Sequence, residues 1–382
     1  MKIRLKISDI LLFLLMFSLF KIYYIPSGVR QIIKIVAIII IFGYIIEHLP
    51  RKKILNISIL YPMCMVVSNI INYFNNCNTG ISLCQAILNA MLFYDLYSLL
   101  YYYAIREKTC ECLKSIYRIT LCGCIVNEIS IFIIGSGLEG ERIYFLGNKF
   151  DSGYMLIVLI ALYGATHNMR MKKNRIKIYI LILISLLTTL YMHSITAFIG
   201  IIVVWIMIVF IKQFKAVALK PVTVVGSMLA SSIIVFLFDM ILKIDVINSL
   251  VFNTFNKSTS IFGRQVIYGV YLKEILGKSI FVGRGYNNNV IYMISNGVFG
   301  NSQNGLIEQY IAYGAIGVIA IIITIWLCFR TLKEQSISTY YLSLIVYAMI
   351  IAAFVEISID WVFFLGICLV KMSTIDDEIK NN

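Results

Sequence analysis

Three arginines are the residues best placed to do chemistry: Arg284 in GRGYNNN, Arg264 in IFGRQVIYG and Arg142 in SGLEGERIYFLGNKFDSG. A guanidinium meets phosphate through a planar, bidentate fork, so several of them converging would hold a pyrophosphate. The glycines beside Arg284, Gly283 and Gly285, would let the backbone come close to a ligand and offer N–H groups to an oxyanion. Lys243, Lys257, Lys273 and Lys278 lie in the same stretch. A solvated loop explains these lysines, because long loops carry charge regardless of side.

The second stretch is NSQNGLIEQYIAYGAIG, residues 301–317, where four polar residues lead into an apolar run. Asn301 or Ser302 would cap the helix that begins here. Asn304 and Glu308 are four apart and share a helix face, with Ala312 and Ala315 below them. Gly314 and Gly317 would let a neighbouring helix pack closely. Gln303 and Glu308 are harder to assign to structure alone, since an acid one turn inside a membrane helix needs a partner or a task. The other acids within apolar runs are Asp95, Glu128 and Asp239. The expectation is that each is paired inside the bundle, although a proton-coupled transporter would use such groups. His48, His167 and His193 fall at the ends of runs, and the nine cysteines show no zinc spacing, so no metal site is expected.

The elements that carry these residues follow from composition. Of 382 residues, 60% are hydrophobic and 14% charged, with a mean hydropathy of +0.89. Runs such as AIIIIFGYII and IIVVWIMIVFI recur throughout. In lipid such runs must satisfy their own backbone hydrogen bonds, so the fold class is all-α, a polytopic integral membrane protein. About twelve transmembrane helices are expected near 8–25, 31–47, 54–74, 81–104, 115–135, 152–168, 176–192, 195–212, 221–242, 304–329, 338–354 and 358–371. The first run, MKIRLKISDILLFLLMF, lacks a small-residue cleavage site and reads as a helix, not a signal peptide.

Alternate turns carry the cations, and the intervening ones, such as NNCNTG and YMHSIT, carry almost none. By the positive-inside rule both termini are then cytoplasmic. The net charge of +14 is used in this way, so no nucleic-acid partner is expected. Residues 338–371 are too long for one crossing and should form two helices turning near Glu356 and Asp360, with Trp361 at the interface. The organisation is therefore 1–242, membrane domain; 243–303, one large extracytoplasmic loop; and 304–382, the last spans and tail. In the loop, Ile267, Tyr271 and Ile275 have the spacing of an amphipathic helix. No internal repeat is visible, which counts against carriers built from duplicated halves.

Together these motifs resemble the O-antigen ligase and polymerase family, and within it the Wzy-type polysaccharide polymerases. That family couples a histidine and a small polar residue, nine positions, then Gly-x-x-Gly. Here Gln303 and Asn304 precede nine residues and Gly314-Ala-Ile-Gly317, so the spacing matches and the histidine does not. Arg264 followed by Gly283-Arg284-Gly285 resembles the family's loop arginine and Gly-x-Gly, and GERIYFLGNKFDSGYM resembles its earlier outer segment, with Arg142, Gly147 and Asn148. The resemblance implies a plasma-membrane glycosyltransferase, inverting and independent of metal and cofactor, in capsule, exopolysaccharide or O-antigen synthesis. Its donor would be an oligosaccharide linked to undecaprenyl pyrophosphate, its partners membrane lipid, a chain-length regulator and a flippase. Arg142, Arg264 and Arg284 would meet the pyrophosphate. Gln303 could orient the acceptor but not deprotonate it. Glu308 is the first candidate base, with Glu141 or Asp151 next. A flippase for lipid-linked oligosaccharide, or another transporter, and a ligase are the alternatives.

Overall fold

The computed structural model describes residues 7–20, 22–49, 59–135, 142–233, 280–294, 300–330, 336–354 and 356–381. Arg264, Glu141, Asp239 and the Ile267–Ile275 segment lie outside them. The described elements are α1 (Ile7–Leu19), α2 (Ser27–His48), α3 (Leu60–Phe74), α4 (Gly80–Ile105), α5 (Thr109–Ile134), α6 (Lys149–Thr166) and α7 (Lys172–Tyr191). Then come α8 (Ile195–Val209), α9 (Ile211–Ala218), α10 (Pro221–Ile233), the short α11 (Val290–Ile294), α12 (Gly305–Arg330), α13 (Ile337–Ala352) and α14 (Trp361–Asn381). Among the described residues there is no strand, only an isolated bridge between Tyr144 and Gly147. The chain is an all-α membrane protein. Five of these helices are long and apolar enough to cross a bilayer, and α8 with α9, bent by 106° at their junction, would make a sixth.

Helix α6 shows how the bundle is organised. Fourteen consecutive residues, Asp151–Gly164, are buried, because α5, α7, α8 and α13 surround it. A helix apolar on every side is stable only where neighbours enclose it. The outer helices have the reverse problem and bare their aliphatic side chains: Ile32, Ile39 and Ile46 on α2, Phe132 and Ile133 on α5, Leu183 and Leu187 on α7. Apolar patches of this extent suit lipid, not water.

Many sequence neighbours pack as hairpins, among them α1–α2, α3–α4, α5–α6, α6–α7, α7–α8 and α13–α14, which sorts the turns to two ends. The basic end holds Arg106 and Lys108 after α4, Arg170 between α6 and α7, and Lys172 and Lys173 at the start of α7. The far end holds residues 22–26, 75–79, 142–148, 192–194 and 353–360. Tyr24 links two of these by bonding to Ser130 Oγ at 3.0 Å and packing on Phe145. Residues 337–381 form two helices, with the break at 353–360 near Glu356 and Asp360. Asp360 Oδ1 there accepts from Val362 N at 3.1 Å, and Trp361 packs edge-on against Phe20.

Candidate functional site

The sequence motifs meet at a break in α12. At Gly314 the backbone leaves helical geometry, with φ 66 and ψ −164. An unbroken helix would bond Ala315 N to Ile311 O and Ile316 N to Ala312 O. Instead the segment 280–285 enters the gap and takes all four groups. Ala315 N donates to Ile280 O at 2.8 Å and Ile316 N to Phe281 O at 3.2 Å. Arg284 N donates to Ile311 O at 2.7 Å and Gly285 N to Ala312 O at 2.9 Å. The break is thus repaired bond for bond, as buried backbone requires.

Helix α3 closes the other side of the segment. Ser68 Oγ donates to Val282 O at 2.5 Å and approaches Ala312 O at 3.2 Å, and Asn72 Nδ2 adds a bond to Val282 O at 3.3 Å. The Asn69 carboxamide oxygen accepts from Tyr286 N at 2.7 Å and from Asn78 Nδ2 at 2.8 Å. Ser68, Asn69 and Asn72 are all buried.

This clamp explains the glycines differently from the reading above. Gly283 has φ 67, and a Cβ there would stand 2.6 Å from Ala312 C, Gly314 N and Ile311 O. Gly285 has φ 86, with Asn78 Nδ2 2.6 Å from any Cβ. Both glycines are needed, but the N–H groups of residues 284–286 are donated to protein acceptors and do not form an oxyanion cradle. The atoms nearest Gly314 and Gly317 likewise belong to the segment and to α12 itself, not to a neighbouring helix. A Cβ on Gly314 would overlap the Phe281 carbonyl, and one on Gly317 would overlap Tyr313 Cβ. In a straight helix those two positions lie about 5–6 Å apart, so the halves of α12 fold toward each other at this corner.

Arg284 rides on the clamp. Its Nη1 reaches Cys77 Sγ at 3.8 Å, its Nε is enclosed without a partner, and the side chain is half-buried at the far end. Below it, the first half of α12 is anchored by Gln309, whose Oε1 accepts from Tyr61 Oη at 2.5 Å while its Nε2 donates to Ile359 O at 2.8 Å. Gly305 N also donates to Ala353 O at 2.8 Å.

The polar mouth of α12 is organised by Asn304, not by Asn301 or Ser302. Asn304 Oδ1 accepts from Ile307 N at 3.0 Å, the usual N-cap bond. The residue is fully buried, and its Nδ2 is enclosed without a hydrogen-bond partner among the described residues. Glu308 has found a partner: its Oε2 accepts from Ser302 N at 2.9 Å. Gln303 holds a left-handed φ of 52 and donates its backbone N–H to Asn301 Oδ1.

The third arginine belongs to a different corner. Arg142 Nη1 bonds to Ile134 O at 2.5 Å and so closes the C-terminus of α5. Asn148 Oδ1 caps α6, accepting from Phe150 N and Asp151 N at 2.9 and 3.0 Å. Asp151 lies buried in the first turn of α6. Glu128 is paired as expected, with Thr188 at 2.9 Å. Asp95 departs from expectation: it is fully buried on α4, and neither carboxyl oxygen has a hydrogen bond. Among the described residues no cluster of His, Cys, Asp or Glu could hold a metal ion.

Sequence reasoning passed over Ser68, Asn69, Asn72, Asn78 and Gln309. A signal was present in SNIINYFNN, where a hydroxyl and two amides recur at positions 68, 69 and 72 of an apolar helix. Side chains of that kind in a span are held by hydrogen bonds across helices. Compared with protein-family models and with curated proteins, the chain matches none.

Proposed function

We propose that this chain is a polysaccharide polymerase. It transfers a growing glycan from undecaprenyl pyrophosphate to a hydroxyl of a lipid-linked repeat unit, with about twelve spans, a cytoplasmic basic end and a far end that faces outward. One observation carries the reading. Arg284 is an arginine without a carboxylate partner among the described residues, held at the mouth of the bundle by backbone bonds on both sides. A guanidinium carried on a backbone fixed in that way would meet charge as it develops on a leaving pyrophosphate.

In the transfer, the acceptor oxygen attacks the anomeric carbon. The bond from that carbon to the phosphate oxygen breaks, and its electron pair leaves with the pyrophosphate beside Arg284. Arg264 would share this charge. The acceptor proton passes to a carboxylate, for which Glu308, in the first turn of α12, is the candidate. Ser302 holds that carboxylate in place, its N–H donating to Oε2 at 2.9 Å. Gln303 would orient the acceptor hydroxyl.

The test is polymerisation by purified protein given its lipid-linked repeat unit, with chelator present, beside Arg284→Ala. A polymer ladder from the native protein, lost in the variant, supports the reading. A single transfer onto a different lipid acceptor would make it a ligase. A second reading has its own support: α12 is broken at Gly314 and α8–α9 is bent by 106°, and discontinuous helices are how many transporters build their sites. If the repeat unit crosses reconstituted vesicles chemically unchanged, the polymerase reading fails and a flippase replaces it.

A further inference from the structure

Two cations stand where the positive-inside pattern has no use for them. Arg30 and Lys34 lie four residues apart on α2, near the far end, on the face that continues into the buried Ala37, Ile38, Ile41 and Ile45. Both are half-buried, and neither has a carboxylate partner among the described residues. Lys34 Nζ bonds to Asn89 Oδ1 on α4 at 2.5 Å. Arg30 makes only a long bond to Ile22 O at 3.5 Å and lies 5.0 Å over the Tyr23 ring. Asn89 is nine residues into α4, about 13 Å along it by helical rise. The lysine therefore turns toward the bundle instead of reaching for water, as a snorkelling lysine would. Gln85 precedes Asn89 by one turn on the same face of α4. Arg30 also lies in the first turn of α2, the positive end of its dipole, where a cation is disfavoured unless an anion joins it.

We infer that Arg30 and Lys34, with Asn89, form an anion site between α2 and α4 for a phosphate group, as carried by a phospholipid headgroup in the far-end leaflet. Two cations one helical turn apart span a phosphodiester, and the neutral carboxamide of Asn89 orients the lysine without neutralising it. The exposed aliphatic face of α2 beside the pair offers apolar contact to the acyl chains. The site does not depend on the polymerase reading, because none of its residues belongs to the α3–α12 clamp.

The experiment measures the thermal midpoint of purified protein in detergent on adding phosphatidylglycerol, phosphatidylcholine or inorganic phosphate. It compares native protein with Arg30→Gln, Lys34→Gln and the double variant. Phosphatidylglycerol should raise the native midpoint, and the double variant should need at least tenfold more lipid for the same rise. A rise with inorganic phosphate shows that the anion alone suffices; a rise with phosphatidylglycerol only shows that it must be membrane-borne. Equal protection by phosphatidylcholine, or an undiminished response in the double variant, overturns the proposal. If the double variant does not fold, Arg30→Gln, which keeps the Lys34–Asn89 bond, must still show a weakened response to phosphatidylglycerol.

Discussion

Replacing Gly283 by alanine tests the clamp directly. The new Cβ would lie 2.6 Å from three backbone atoms, Ala312 C, Gly314 N and Ile311 O. None of these can swing aside as a flexible side chain could. A left-handed backbone with a Cβ costs about 1–2 kcal/mol, and forcing a methyl into a filled site costs about 1–3 kcal/mol more. The alternative is for the segment to lift away. That releases the bonds from Arg284 N and Gly285 N and those to Ile280 O and Phe281 O, each worth about 0.5–1.5 kcal/mol net. The first route costs about 2–5 kcal/mol and the second about 2–6 kcal/mol, so the cheaper one sets a loss of about 2–5 kcal/mol.

Gly300→Ala is the control. Nothing lies within 4 Å of a Cβ there and its φ is not left-handed, so its cost should stay within about 0.5 kcal/mol. Unfolding of both variants in mixed detergent micelles, followed by tryptophan fluorescence and by alkylation of the buried Cys328 and Cys368, gives the difference. If Gly283→Ala unfolds within 1 kcal/mol or so of Gly300→Ala, the segment does not sit in the α12 break and the clamp is refuted.

Asn69→Ala should cost about 1–3 kcal/mol in the same assay, because Tyr286 N and Asn78 Nδ2 both lose their acceptor; Asn69→Asp, which keeps that oxygen, should recover part of it. Arg284→Ala should leave the unfolding free energy within about 0.5 kcal/mol, since its side chain makes only a weak contact with Cys77 Sγ. The same variant should lower glycan transfer by roughly a hundredfold or more, read from polymer ladders, and a fall in transfer that merely tracks a fall in folded protein would remove Arg284 from the chemistry. Asp95→Asn should leave stability unchanged or raise it, because no hydrogen bond to either carboxyl oxygen is lost and a buried, unpartnered acid is costly in a membrane; a lower thermal midpoint would show that the carboxyl is bonded after all.

How far the sequence could be read depends on where each signal lies along the chain. The helices were legible because hydropathy is local: the run at 305–330 and the break between 352 and 361 need no distant partner to be seen. Asn148 as a cap is local too, three residues from the N–H of Asp151, but the sequence reading takes that residue only as part of a family-like segment. The clamp was not legible in that way. Ser68 and Val282 are 214 residues apart, and Tyr286 is 217 from Asn69. Each glycine motif alone carries an ordinary local meaning, a turn for Gly283-Arg284-Gly285 and a packing face for Gly314 and Gly317. Only their meeting assigns Gly283 and Gly314 to each other, because each lacks a Cβ where the other's backbone passes. Asn304 was misplaced for a related reason. Several residues of NSQN can cap, and only the φ of 52 at Gln303 decides which one is presented to the helix.

The way the break is filled also bears on which reading of the function is the stronger. An open break in a transporter helix is useful because it can change shape, with exposed N–H and C=O groups meeting ion or substrate. In α12 those groups are already taken. Two N–H groups and two carbonyls of the helix are matched by two carbonyls and two N–H groups of the segment 280–285, and Ser68, Asn69 and Asn72 hold that segment from behind. Moving one half of α12 against the other would bare several backbone groups together, each costing a few kcal/mol away from water. The bend between α8 and α9 is tied in a similar way, since Tyr340 Oη donates to Met207 O at 2.8 Å and Tyr347 Oη to Ala218 O at 2.9 Å. Breaks repaired this fully make a rigid mount more readily than a hinge. A fixed arginine is what stabilisation of a leaving pyrophosphate requires, whereas a carrier needs its broken helix free to move. The bonding of the Gly314 corner therefore favours catalysis at the mouth over transport through it.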